Sequence, residues 1–217
     1  MSIADRILRV KSSLPGQVEL VAVSKTYPAQ RIMEAYEAGQ RIFGENRPQE
    51  MAQKYEELPK DIEWHLIGHL QTNKVKYIIE DMDLIHSVDS IKLATEIDRH
   101  AARVNKVQDI LIEVNVGGEA SKSGIAPDQL EELLHEAGQL SHVHVRGLMT
   151  IPPVEGDEKF LYKMQQLYLD ISSKKMDNID MEILSMGMSG DFAAAIRYGS
   201  TLVRIGTALF GARNYQK

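Results

Sequence analysis

Short apolar runs rich in β-branched residues alternate with longer amphipathic segments from one end of this chain to the other. That alternation restricts it to folds built from parallel strands joined by helices. The runs fall at residues 18–24, 41–43, 62–67, 84–87, 110–116, 143–149, 181–185 and 201–205. Between them the helical period predicts helices over 29–38, 49–57, 72–79, 90–104, 128–137, 158–174 and 191–197. Pro28 reads as the first turn of the first of these, Gly39 as its stop, and Pro127 as the opening position of the fifth. Residues 1–13 space Ile3, Ile7, Leu8 and Val10 among Asp5, Arg6, Arg9 and Lys11, an additional amphipathic helix ahead of the first strand. A doubly wound open sheet would also satisfy the alternation, but eight repeats within 217 residues favour closure. With no Gly/Ser/Pro-rich linker and no break in composition, the expectation is a single domain over 1–217: a (β/α)8 TIM barrel with an extra N-terminal helix.

A net charge of −6 disfavours a general nucleic-acid binder, because neutralising phosphates needs a basic face, yet a few local donors suffice for a small anion. The absence of cysteine excludes disulfides, thiolate catalysis, iron–sulfur clusters and cysteine-based zinc sites. No stretch approaches the roughly 18 apolar residues that cross a bilayer, and the first helix does not read as a secretory signal. A cytoplasmic protein with no membrane partner is therefore expected.

In such a barrel, chemistry is placed just after the strands. The first strand ends at Lys25, followed by Thr26, Tyr27 and Pro28. That lysine either snorkels to solvent or enters a site. The second strand leads into Gly44, Glu45 and Asn46, the third into His69 and its polar neighbours, and the sixth into Met149 and Thr150. After the seventh, Met188, Ser189 and Gly190 precede the helix-ready Asp191-Phe192-Ala193-Ala194, and after the eighth Gly206-Thr207 opens a second helix-like segment. Loops in these two places form the usual phosphate site of barrels, although the same residues would also serve as caps and turns. Arg204, among apolar residues of the eighth strand, needs an acceptor if it points inward: a ring nitrogen, a phosphate, or a carboxylate such as Glu45. No metal is expected, since His65 and His69 fall on a strand rather than a helix and His142 and His144 lack a spaced carboxylate. Neither a P-loop, a Gly-x-Ser-x-Gly elbow nor a GxGxxG occurs. A lysine after the first strand facing a phosphate site after the seventh and eighth is the layout of a pyridoxal 5′-phosphate (PLP) pocket.

Ala22-Val23-Ser24-Lys25-Thr26, Phe43-Gly44-Glu45-Asn46, the run from Trp64 to Lys74, Ser121-Lys122-Ser123-Gly124, Gly147-Leu148-Met149-Thr150, Leu184 to Ser189 and Val203 to Gly211 together resemble the pyridoxal phosphate homeostasis protein family. That family is similar in fold to the N-terminal domain of alanine racemase, and the resemblance spans nearly the whole chain. It implies PLP held as an imine on Lys25, with its phosphate on Ser189, Gly206 and Thr207 and Met188 beside them. It further implies Arg204 facing the pyridine nitrogen, Asn46 near the hydroxyl side of the ring and Met149 lining the ring. The chain departs from the family pattern at Gly190, where an acidic residue is more usual, while Asp191 is kept as the cap.

An arginine beside the ring nitrogen disfavours its protonation and makes the ring a poor electron sink. Racemases resembling this barrel also use a tyrosine from a second, C-terminal domain of a partner subunit. With Lys217 following closely on the eighth strand, that domain is expected to be absent. The reading is thus a monomeric PLP-binding protein acting in intracellular PLP homeostasis without robust catalysis, with PLP-dependent apoenzymes as its partners. The alternatives are a stand-alone amino-acid racemase pairing Lys25 with His69 or Tyr27, and a cofactor-free Schiff-base aldolase. Lys122 would serve cofactor exchange or stand as a solvated loop residue.

Overall fold

Strands buried on both faces lose the apolar–polar alternation, and the unbroken Leu20-Val21-Ala22-Val23 of the first run behaves that way. A computed structural model describes residues 1–119, 121–153 and 158–211. Its strands are β1 (Glu19–Val23), β2 (Ile42–Glu45), β3 (Glu63–Leu66), β4 (Leu84–Val88), β5 (Gln108–Glu113), β6 (Val143–Met149), β7 (Ile179–Ser185) and β8 (Leu202–Ile205). They pair in sequence order, all parallel, and β8 closes on β1 with Glu19 opposite Leu202 and Ala22 opposite Ile205. Closure leaves no edge strand exposed. The expected (β/α)8 barrel with an extra N-terminal helix is the observed architecture.

The helices are α1 (Ile3–Ser13), α2 (Ala29–Glu37), α3 (Pro48–Glu57), α4 (Ile91–Arg103), α5 (Leu130–Ala137), α6 (Lys159–Ser172), α7 (Phe192–Arg197) and α8 (Thr207–Phe210). The extra helix α1 begins with a capping box, Ser2 Oγ accepting from the Asp5 N–H at 3.1 Å and Asp5 accepting from the Ser2 N–H at 2.9 Å. Its buried stripe of Ile3, Ile7 and Val10 packs on α2 and α8. Among the described residues no helix is long and apolar enough to cross a membrane.

Two apolar clusters divide the interior. The larger lies between the helices and the outer face of the strands. The smaller joins Val21, Leu84, Leu111, Met149 and Leu202, from β1 and β8 on one side and β4, β5 and β6 on the other. Such residues meet only inside the barrel, so they plug it and leave its ends as the places for ligands.

Several boundaries differ from expectation. The second strand runs on through Gly44 and Glu45, which therefore lie within the sheet rather than after it. Pro28 is not in the first turn of α2 but at the cap position before it, with ψ 159°. The helix expected over 72–79 is a 3-10 turn, Thr72–Tyr77. The fifth strand begins at Gln108 and ends at Glu113, because Val114 bridges instead to Ile125.

Candidate ligand-binding site

At the C-terminal end of the barrel a cavity of about 260 Å³ opens between the ends of β1, β2, β3 and β8 and the loop after β7. Lys25, Asn46, Met188, Ser189, Arg204, Gly206 and Thr207 all line it, with Val23, Ile67, Ile151 and Gly190. The structure thus gathers in one place residues separated by up to 184 positions, from Val23 to Thr207. Met149 is not among the lining residues. It is fully buried in the inner apolar cluster, because the alternation of β6 directs it into the plug. A second cavity of about 360 Å³ lies at the opposite end of the barrel, between the loop after α1 and the strand beginnings.

Lys25 stands two residues past β1. The sheet extends one residue further than the strand, since the Ser24 N–H donates to the Gly44 carbonyl at 3.0 Å. Thr26 then turns into the left-handed region at φ 69°.

The loop after β7 and the start of α8 form the edge facing Lys25. Gly187, at φ 97°, lets that loop lie on α7, since a Cβ there would come within 2.7 Å of the Ala195 Cβ. Asp191 occupies the cap position of α7 but makes no side-chain cap bond to it. Its Oδ1 accepts from the Met188 N–H at 2.6 Å, while the Asp191 and Phe192 N–H groups donate to the Met188 carbonyl at 3.1 and 2.9 Å. Asp191 thus ties off a turn that presents Ser189 and Gly190. Ser189 Oγ lies 3.4 Å from the Ala208 nitrogen, linking the two loops, and the first N–H groups of α8 have no intrahelical acceptor.

Arg204 points inward and is 3% exposed. It donates to Ser185 Oγ and, at 2.9 Å, to the Thr150 carbonyl. Burial lowers its guanidinium to about 10, with Glu113 and Asp191 opposing the shift, so it remains a cation near neutrality. Glu45 is not its partner. That carboxylate accepts from Ser24 and Lys54 instead, because β2 is long enough to carry it into the sheet.

A polar chain behind Arg204 escaped the sequence reading. Ser185 Oγ is 3.0 Å from His86 Nδ1, and His86 Nε2 is 3.0 Å from His65 Nδ1. Burial drives His65 down to about 3, and burial, then His65 and Arg204, hold His86 well below its ordinary value. Both rings are therefore neutral and pass hydrogen bonds in one direction. Following every second residue inward along the third, fourth and seventh runs would have found them.

Asn46 bears on what the cavity accepts. Its Oδ1 is buried without a hydrogen-bond partner, an acceptor awaiting a donor. Gly68 sets its place: a Cβ at 68 would lie 2.5 Å from the Asn46 carbonyl oxygen and 2.7 Å from its Cα. Neither proposed racemase base lines the cavity. Tyr27 donates through its hydroxyl to the Gly211 carbonyl at 2.7 Å and stacks on Phe210, and His69 is exposed. Lys122 pairs with Glu119 at 2.6 Å and donates to the Pro152 carbonyl at 3.2 Å, also outside the lining.

The family model described as "Alanine racemase, N-terminal domain" matches residues 1–214. The pyridoxal phosphate homeostasis protein of Aquifex aeolicus is 48% identical over 202 residues, covering 91% of this chain and 88% of its own. The chain belongs to the pyridoxal phosphate homeostasis protein family. The family member from Escherichia coli K12 is 41% identical over 208 residues, 94% of this chain and 89% of its own. Among solved structures, PipY of Synechococcus elongatus without PLP superposes with a TM-score of 0.92 at 39% identity, covering 97% of this chain and all 100% of PipY. With PLP bound PipY gives 0.89 over the same coverage. Alanine racemase of Clostridium difficile 630 shares the fold alone, with a TM-score of 0.79 at 15% identity over 99% of this chain and 58% of the racemase.

Proposed function

We propose that this chain binds PLP in the cavity at the C-terminal mouth of the barrel, holds it as a Schiff base on Lys25, and serves intracellular PLP homeostasis without robust catalysis. The observation that carries this reading is the convergence in one cavity of Lys25, an anion-binding edge at Ser189, Gly206 and Thr207, and the buried cation Arg204. The names of its relatives and the PLP-bound structure of PipY support it.

The residues present fit the group. PLP supplies an aldehyde that condenses with an amine and a ring that withdraws electrons. Ser189 Oγ, Gly206 and the first N–H groups of α8 are suited to its phosphate. Asn46 Oδ1, unpartnered and buried, would accept from the hydroxyl side of the ring. Arg204, held by Ser185 and Thr150, would face the ring nitrogen, and its retained charge would keep that nitrogen unprotonated. Among the described lining residues only Lys25 and Arg204 titrate, which supports little proton-transfer chemistry beyond Lys25 itself. A cytoplasmic monomer that hands the cofactor to PLP-dependent apoenzymes is the form this reading takes.

The test is Lys25→Ala mixed with PLP. The wild type should develop a visible imine band and the variant none, while an equal band in both would overturn the assignment to Lys25. Steady loss of optical rotation on incubating the wild type with single-enantiomer amino acids would overturn the non-catalytic part.

A further inference from the structure

The two peptide units that flank the Lys25 Cα are both held by one charge cluster, buried at Glu45 and Lys54 and partly exposed at Glu50. The Ser24 carbonyl accepts from Lys54 Nζ at 2.9 Å, and the Thr26 N–H donates to Glu50 Oε1 at 2.5 Å. Lys54, on α3 and 7% exposed, also donates at 2.7 Å to Glu45 Oε1 and at 2.7 Å to Glu50 Oε1. Those three bonds use all of its ammonium hydrogens. Glu45, on β2 and 0% exposed, additionally accepts from Ser24 Oγ at 2.6 Å. The first contact fixes the peptide plane before Lys25 and the second fixes the plane after it. With both planes held, the two backbone dihedrals of Lys25 and the direction in which its Cα–Cβ bond leaves the chain are held as well.

Stability does not account for this arrangement. Burying an ammonium and a carboxylate together is close to neutral or unfavourable compared with apolar packing, and burial pushes Glu45 up to about 7 despite Lys54. Thr26 is β-branched yet held at φ 69°, a strained conformation that persists only where the surroundings over-determine it. Both costs converge on the segment carrying Lys25, and none of Glu45, Glu50 or Lys54 lines the cavity.

We propose that Glu45, Lys54 and Glu50 are positioning residues for Lys25, clamping its backbone so that the amine meets the PLP aldehyde in reactive alignment. The inference rests on the Schiff-base reading above. In that step the neutral Lys25 amine bonds to the aldehyde carbon, and the aldehyde oxygen leaves as water with both amine hydrogens.

Glu50→Ala is the cleanest perturbation, because it releases the Thr26 N–H while Lys54 keeps Glu45 and Ser24. Two probes separate positioning from general damage: PLP, and pyridoxine 5′-phosphate, which carries the same ring and phosphate but no aldehyde. Rapid-mixing absorbance should show the imine forming at least about tenfold more slowly in Glu50→Ala, with pyridoxine 5′-phosphate affinity within about twofold of wild type. Glu50→Gln, which keeps a carbonyl acceptor for Thr26, should restore most of the rate. Equal imine rates in Glu50→Ala and wild type would overturn the inference, as would equal losses for both probes alongside a lowered Tm. A wild type that binds PLP but never forms the imine would instead overturn the Schiff-base reading beneath it.

Discussion

Glu113, at the C-terminal end of β5, offers a quantitative test of the electrostatics around Arg204. It is 6% exposed, and its carboxyl is pushed from 4.5 up to about 7, by burial first and Asp89 second, with Arg204 pulling it back. The folded group therefore binds its proton more tightly than the unfolded one. Between pH 4.5 and about 7 the folded state holds more protons, so wild-type stability falls as pH rises through that window and levels off above it. A window of about 2.5 pH units at about 1.4 kcal/mol each gives a total of about 3–4 kcal/mol. Glu113→Gln keeps the side-chain shape and removes the proton equilibrium. In urea titrations of the PLP-free proteins, its unfolding free energy minus that of wild type should be flat below about pH 4.5. The difference should then grow by about 3–4 kcal/mol towards pH 8. A difference that does not change with pH would refute the burial of an ionisable group at this position.

Other consequences are also measurable. Ser189→Ala should weaken PLP retention by about 1–3 kcal/mol, read by equilibrium dialysis, if its hydroxyl serves the phosphate. Gly68→Ala places a Cβ against the Asn46 backbone and should cost about 1–3 kcal/mol in thermal or urea unfolding while weakening PLP binding. Unchanged stability and unchanged binding together would show that residue 68 does not set the place of Asn46.

The barrel was legible because its strands are buried on both faces, which leaves short unbroken apolar runs such as Leu20-Val21-Ala22-Val23 in place of an apolar–polar alternation. Lys25, Ser189, Arg204, Gly206 and Thr207 were legible because barrels confine chemistry to strand ends. What local pattern does not encode is which face a residue takes. Met149 closes its strand and still turns into the inner plug, and Glu45, glycine-flanked and charged, reads as loop although Lys54 and Ser24 compensate its burial within β2. Asp191 takes the cap position as expected, but the bond its side chain makes was not legible. A carboxylate before a helix has two nearby donors to choose from, and here it takes the Met188 N–H of its own turn. Alternation marks Ser185, His86 and His65 as inward-facing, but that they bond to one another follows only when the barrel closes and brings β7, β4 and β3 together.

The central claim is that Lys25 is the lysine that bonds PLP. Wild-type protein loaded with PLP, reduced with borohydride, digested and mapped by peptide mass would locate the attachment. The account predicts a phosphopyridoxyl group on the peptide carrying Lys25, whereas attachment at Lys54, Lys122 or another lysine, or no attachment at all, would contradict it.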